Sequence, residues 1–151
     1  MRVVEQESIL AAAPEAVWAR VSTFEGVNDE LGPILRMTAP ARVRGLDPAE
    51  VVLGERIFRS WVLLFGVIPI DYDDLTLIAL EPGRGFHERS RMLSMPVWEH
   101  ERTLEPYGEG GCRVRDRLSF EPRLPGMGGL LERIVSATFR HRHRRLRGRF
   151  G

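Results

Sequence analysis

The amino-acid sequence predicts an α+β fold in which one antiparallel sheet is closed by a single long helix. Three observations lead there. From Glu55 onward, stretches of extended character are separated at regular intervals by glycine and proline turns, the pattern of an antiparallel meander. The segment Leu130–Phe150 holds no helix breaker before Gly148 and spaces its apolar residues for one helical face. Two short segments with helix signals lie between an N-terminal extended stretch and the meander. At 151 residues the chain reads as one domain, 1–151, able to bury a core without disulfides or a structural metal.

Each element has its own justification. VVEQESIL alternates in its centre and reads as a strand. In AAAPEAVWARVSTF, Pro14 suits the first position of a helix whose Val17, Trp18 and Val21 fall on one side. FEGVNDEL continues as a second short helix, stopped at Leu31 by Gly32 and Pro33. The meander then runs through GERIFRSWVLLF, IDYDDLTLIAL, FHERSRML, VWEHERTL and CRVRDRLSFEP, with breaks at GVIP, EPGRG, SMP and EPYGEGG. The closing helix should turn Met127, Leu131, Ile134, Val135, Thr138 and Leu146 toward the sheet. Trp18, Trp61 and Trp98 are expected in the core or a cavity wall.

Composition narrows the function. The lone Cys112 excludes an internal disulfide, and no apolar run is long enough for a membrane span or a signal peptide, so a reducing cytoplasm is the expected location. All 22 basic side chains are arginine, which suggests codon usage in a GC-rich bacterial genome. The net charge of +1 hides an uneven distribution, with −5 on the chain before Phe139 and +6 on FRHRHRRLRGRF.

IxAxPEAVWxxV near the start, WEHERTL followed by a glycine turn and VRDRLSFEP, and a last helix reading FRHRHRRL together resemble the START-like, or SRPBCC, superfamily. The resemblance spans nearly the whole chain and lies closest to the bacterial polyketide cyclase and dehydrase or lipid-transport branch. It implies a helix-grip fold, a curved antiparallel sheet wrapped around the C-terminal helix, with a cavity between them for lipids, polyketides or other hydrophobic molecules. It implies no particular reaction, because the superfamily is mostly binders with a few enzymes, so function has to be argued from the site.

Strand alternation selects the cavity side chains. Cys112, Val114, Leu118 and Phe120 share a face with Asp116; Trp98 and Leu104 share one with His100 and Arg102; Phe86 and Met92 share one with Glu88 and Ser90. Folded about their turns, the strands are expected to bring Asp116 opposite His100, and Ser90 and Glu88 opposite His100 and Arg102. Ligand-binding candidates are therefore Glu88, Ser90, Trp98, His100, Arg102, Asp116 and, from the helix, Arg142. Three readings stand side by side. Glu88 could pair with Arg102 and Asp116 with His100 simply to hold the sheet register. One or more of the group could meet the polar end of a ligand. His100, oriented by Asp116, could act as a catalytic acid or base. A metal held by Glu88, His100 and Asp116 lacks the usual two-histidine set, so neither metal nor cofactor is expected.

The arginine-rich tail reads mainly as a solvated helix end. Residues two apart on a helix differ by about 200°, so His141 and His143 do not share a metal ion. Arg142 falls inside the apolar stripe, where it could meet Asp116, Glu88 or a ligand anion, or simply snorkel past the end of the sheet, while Arg140, Arg144 and Arg147 point away and complement the helix dipole. The acidic body and the absence of a nucleic-acid module argue against nucleic acid as a partner. Transient contact with an anionic membrane, or with the acidic face of a second copy in a homodimer, are the other uses considered. Gly126, Gly128 and Gly129 lack P-loop partners, and Asp71, Asp73 and Asp74 read as strand-edge charges. The leading expectation is binding of a hydrophobic small molecule; the alternatives are an aromatase or cyclase acting on a polyketide in the same cavity, and an interaction module built on the arginine-rich helix end.

Overall fold

Alternating burial along the second half of the chain produces strands whose inner faces turn toward one helix. The computed structural model describes Met1–Gly151. In order it contains β1 (Arg2–Leu10), α1 (Pro14–Val21), α2 (Phe24–Leu31), β2 (Leu35–Met37), β3 (Arg56–Leu64), β4 (Ile68–Glu81), β5 (Gly85–Met92), β6 (Val97–Tyr107), β7 (Gly111–Glu121) and α3 (Gly128–Phe150). The seven strands form one antiparallel sheet in the order β1-β7-β6-β5-β4-β3-β2, curled as a half-barrel around α3. This is the helix-grip α+β architecture. No helix is long and apolar enough to cross a membrane.

Two strands extend through residues that read as breaks. Ile68 and Pro69 belong to β4 and pair with Leu64 and Leu63, next to a register shift at Val62/Leu63, so the turn shrinks to three residues. Phe65 and Gly66 take it with positive φ, 53° and 77°. β6 runs on through Pro106, which pairs with Cys112 on β7. Its pairing with β5 has already ended at Thr103, so the missing proline N–H faces no partner strand. Further shifts, at Arg56/Phe58 of β3 and between Leu77 and Ala79 of β4, add to the sheet's curvature.

Helix α1 starts at Pro14 and packs Val17 and Val21 against Leu10, Leu104, Cys112, Val114 and Leu146. Helix α2 is capped by Thr23, whose Oγ1 accepts from the Gly26 N–H at 3.0 Å. Asn28 ties it to β2 through two bonds with the Met37 backbone, at 2.7 and 3.0 Å. The first half of α3 packs Val135 and Phe139 on Val4, Trp98, Leu118 and Phe120. A smaller cluster joins Phe24 of α2 to Phe58 of β3 and Leu75 of β4.

Two expected core residues are displaced outward. Ile134 is half exposed, because the stripe that packs on α3 runs through Leu131, Val135 and Phe139. Trp61 lies on the outer face of β3, 43% exposed and edge-on to Tyr72, so it lines no cavity. Trp18 is partly buried against the second cluster, and only Trp98 is fully interior.

Candidate functional site

The inner faces of β5, β6 and β7 carry Glu88 and Ser90, Trp98, His100 and Arg102, and Asp116, all buried. Their register differs from the expected one by one pleat. Asp116 lies opposite Arg102, Glu88 opposite His100, and Ser90 opposite Trp98. A two-residue offset keeps every side chain on its face because the side-chain period of a strand is two, so the set stays together while its pairings change. Arg102 does not pair with Glu88; it is taken by Asp116 and by Glu30 of α2.

Arg102 is the hub of a buried ion network. Its Nε and Nη2 donate to Asp116 at 2.8 Å each, and Nη1 and Nη2 donate to Glu30 at 3.0 and 2.8 Å. Arg142 donates through Nε to Glu30 at 3.1 Å, with its guanidinium over the Phe139 ring. Asp116 also accepts from His100 Nε2 at 2.7 Å and from His143 Nε2 at 2.6 Å. Four donors thus saturate the lone pairs of one carboxylate. Behind it, His143 Nδ1 meets Ser8 Oγ at 2.7 Å, and Arg147 Nη1 donates to the same oxygen at 2.8 Å.

Electrostatics follow from this geometry. Burial alone would raise the Asp116 carboxyl, but Arg102 and then His100 outweigh it and hold the group well below the usual carboxylate range. Burial likewise opposes ionisation of Glu30, and Arg102 and Arg142 outweigh it and keep it low. Burial lowers His100; Asp116 opposes this, while Arg142 and Arg102 reinforce it, so the net shift is downward and the ring is neutral. With Nε2–H donating to Asp116, Nδ1 is the unprotonated nitrogen and takes no hydrogen bond from the protein. The two arginines balance the two carboxylates.

A second polar group stands apart. Asp73, far from being a strand-edge charge, is on the inner face of β4 with Leu75 and Leu77, in the interior of the sheet, and is 3% exposed. Glu88 accepts from Ser90 Oγ at 2.7 Å, and the Ser90 hydroxyl accepts from the Thr76 N–H at 3.0 Å. Burial first, and then the Glu88 carboxylate, push Asp73 well above its ordinary value. Its Oδ1 is buried without a hydrogen-bond partner. Asp71 accepts from Ser94, and Asp74 faces outward, bound by Arg59 at 2.8 Å.

Between α3 and the sheet lies a cavity of about 330 Å³, and 19 of its 29 lining residues are hydrophobic. Leu77, Trp98, Val135 and Phe139 form walls; Asp73, Glu88, His100, Arg102 and Arg142 supply the polar points. It reaches the surface beside Ile70 and Ile134, each about half exposed. Ser90 and Asp116 stand behind the wall rather than on it. The lining ends at Arg142 on α3, so the arginine-rich end lies beyond the cavity. There Arg145 donates to the Asp29 carbonyl at 2.9 Å and Arg149 sits 3.9 Å from the Asp29 carboxylate, clamping α2, while Arg140 and Arg144 are exposed.

Sequence reasoning missed Glu30, Asp73, His143 and Ser8. Three of them were signalled by spacing. Glu30 follows Val27 by three residues on α2, Asp73 shares parity with Leu75 and Leu77, and His143 falls between Phe139 and Leu146 on the inner side of α3.

Comparison with known proteins agrees with this architecture. A family model described as "Domain of unknown function (DUF8410)" matches residues 8–150. None of the curated proteins matches the chain. Among solved structures, a START superfamily protein from Mycobacterium smegmatis is similar at 16% identity and a TM-score of 0.69, over 98% of this chain and 96% of its own. Protein CV1439 from Chromobacterium violaceum gives 15% identity and 0.70 over the same shares. DynU16, a protein of the dynemicin biosynthetic locus, gives 16% and 0.59 over 94% of this chain and 46% of its own. The fold is START-like.

Proposed function

The chain belongs to the DUF8410 family and has a START-like fold, and from that premise we propose that it binds a hydrophobic small molecule between the sheet and α3. The observation that carries this reading is the cavity itself. It is about 330 Å³, mainly apolar, open to the surface and supplied with a few convergent polar groups, the composition of small-molecule sites in general. Burial of an apolar ligand against Leu77, Trp98 and Phe139 would supply affinity at about 25 cal/mol per Å² of apolar surface removed from water. The charge-balanced Glu30–Arg102–Asp116 network supports a pre-formed wall that does not collapse inward. Similarity in fold to a START superfamily protein and to a protein of a biosynthetic locus is consistent with a lipid or polyketide-like ligand.

Native mass spectrometry of the purified protein, followed by denaturing extraction, tests the proposal. A discrete adduct lost on unfolding, with an apolar small molecule in the extract, is the expected result. A bare protein mass, together with no binding of apolar fluorescent probes, would overturn it.

A second reading rests on His100. It lines the cavity as a neutral imidazole with Nδ1 free and Nε2 oriented by Asp116, the arrangement a general base requires. A cyclase or aromatase step on a polyketone would use that nitrogen. His100→Ala should leave binding of the extracted molecule within about threefold and, on this reading alone, abolish its conversion.

A further inference from the structure

The cavity holds two polar groups of opposite character. Around Arg102 every charge is answered: Arg102 binds Asp116 and Glu30, and Arg142 binds Glu30. Asp73 and Glu88 have no such answer. Both are at least 95% buried, both line the cavity, and neither takes part in an ion pair. The Ser90 hydroxyl donates to Glu88, and Asp73 Oδ1 remains without a partner. A third carboxylate, Asp71, lines the same wall.

Two neighbouring carboxyls in an apolar wall resist ionising together, and any negative charge the pair carries lies there without a counter-charge. A buried charge of this kind is costly until a counter-charge reaches it. Every cation of the cavity is already committed to the other network, so the counter-charge has to arrive with the ligand. A divalent ion fits poorly, because Asp71 is already bound by Ser94, the three acids form no metal-holding group, and two carboxylates fall short of the six or more oxygens that calcium or magnesium takes.

We infer that Asp73 and Glu88 form an anchoring site for a protonated amine on an otherwise apolar ligand. This deepens the binding function proposed above and rests on it. The ammonium donates to Asp73 Oδ1 and to Glu88, while the hydrocarbon body lies toward Leu77, Met92 and Trp98.

Calorimetric titration at pH 7 with decylamine, decan-1-ol and decanoate, which share a tail and differ in head group, separates the two ideas. Decylamine should bind about tenfold tighter than decanol, the increment of one charge-assisted contact, with decanoate weakest. The double variant Asp73→Asn/Glu88→Gln, which leaves neither carboxyl on this part of the wall, should remove the amine preference while keeping decanol binding. Failure of all three probes to bind would refute the cavity function and the inference with it. Binding without amine preference, or a preference that survives in the double variant, would overturn the inference alone. Should that variant lose decanol as well, Asp73→Ala/Glu88→Ala decides, and an amine preference kept there overturns the proposal.

Discussion

Asp116 shows how a single buried carboxylate can organise a wall. It accepts from Arg102, His100 and His143 and has no access to water. Removing its charge leaves Arg102 with only Glu30 to offset it. Asp116→Asn should therefore destabilise the fold by about 3–5 kcal/mol, read from the urea midpoint. Asp73 should behave in the opposite way. Its folded value lies above the ordinary 3.8, so the folded state holds a proton that the unfolded chain has lost, and stability falls as pH rises between the two values. Asp116 and Glu30 are depressed, so their contribution is present above the unfolded carboxylate range and is lost as pH falls through their folded values. Thermal melts should drop in acid below about pH 4; between pH 7 and there Asp73 adds stability as pH falls while the depressed His100 removes it, so the Asp73 part is read as the difference from Asp73→Asn. Asp73→Asn should flatten the Asp73 part of this profile, keep the acid drop and stabilise the protein at pH 7, because it removes a buried carboxyl that burial and Glu88 oppose ionising. A variant less stable than wild type at pH 7 would show that the carboxyl is compensated.

At the scale of elements, α2 and the β4–β5 turn set the network's geometry. Helix α2 delivers Glu30, and its position is secured by the Thr23 cap, by Asn28 on β2, and by α3 through Arg145 and through His141, which donates to the Gly32 carbonyl at 2.8 Å. The turn delivers Arg102 less directly. Gly85 has φ +149° and crosses so close to the Arg102 backbone that an added methyl would collide with the Arg102 carbonyl oxygen. Gly85→Ala combines a disfavoured backbone with a clash that neither strand relieves without shifting. It should cost about 2 kcal/mol or more and broaden the His100 and His143 ring resonances in NMR spectra, since both bond Asp116 beside Arg102. Gly129→Ala, in open space at the start of α3, is the control expected to be neutral.

At the scale of the molecule, α3 both closes the sheet and forms one side of the cavity mouth. Thr138 lines the cavity and is only partly buried, so a large side chain there can occupy the space without overpacking the core. Thr138→Trp should weaken binding of decanol and decylamine alike by about tenfold or more, with a melting temperature within a few degrees of wild type. Unchanged affinity would move the ligand away from α3. The basic end of the same helix serves a different purpose from the cavity: Arg145, Arg147 and Arg149 contact Asp29 and Ser8, holding the helix to α2 and β1.

Sequence alone determined the order of elements, the antiparallel meander, the closing helix and the inward parity of Glu88, His100, Arg102, Asp116 and Arg142. These follow from local periodicity, which acts over a few residues and survives a register error of two. Tertiary structure decided who meets whom. Which strand lies opposite Arg102, and that a glutamate 72 positions earlier completes its pairing, depend on how a curled sheet and α2 close over one another. The same closure turned Asp73 from an apparent edge charge into a buried acid, because a strand's place in the sheet is set by its neighbours rather than by its own composition.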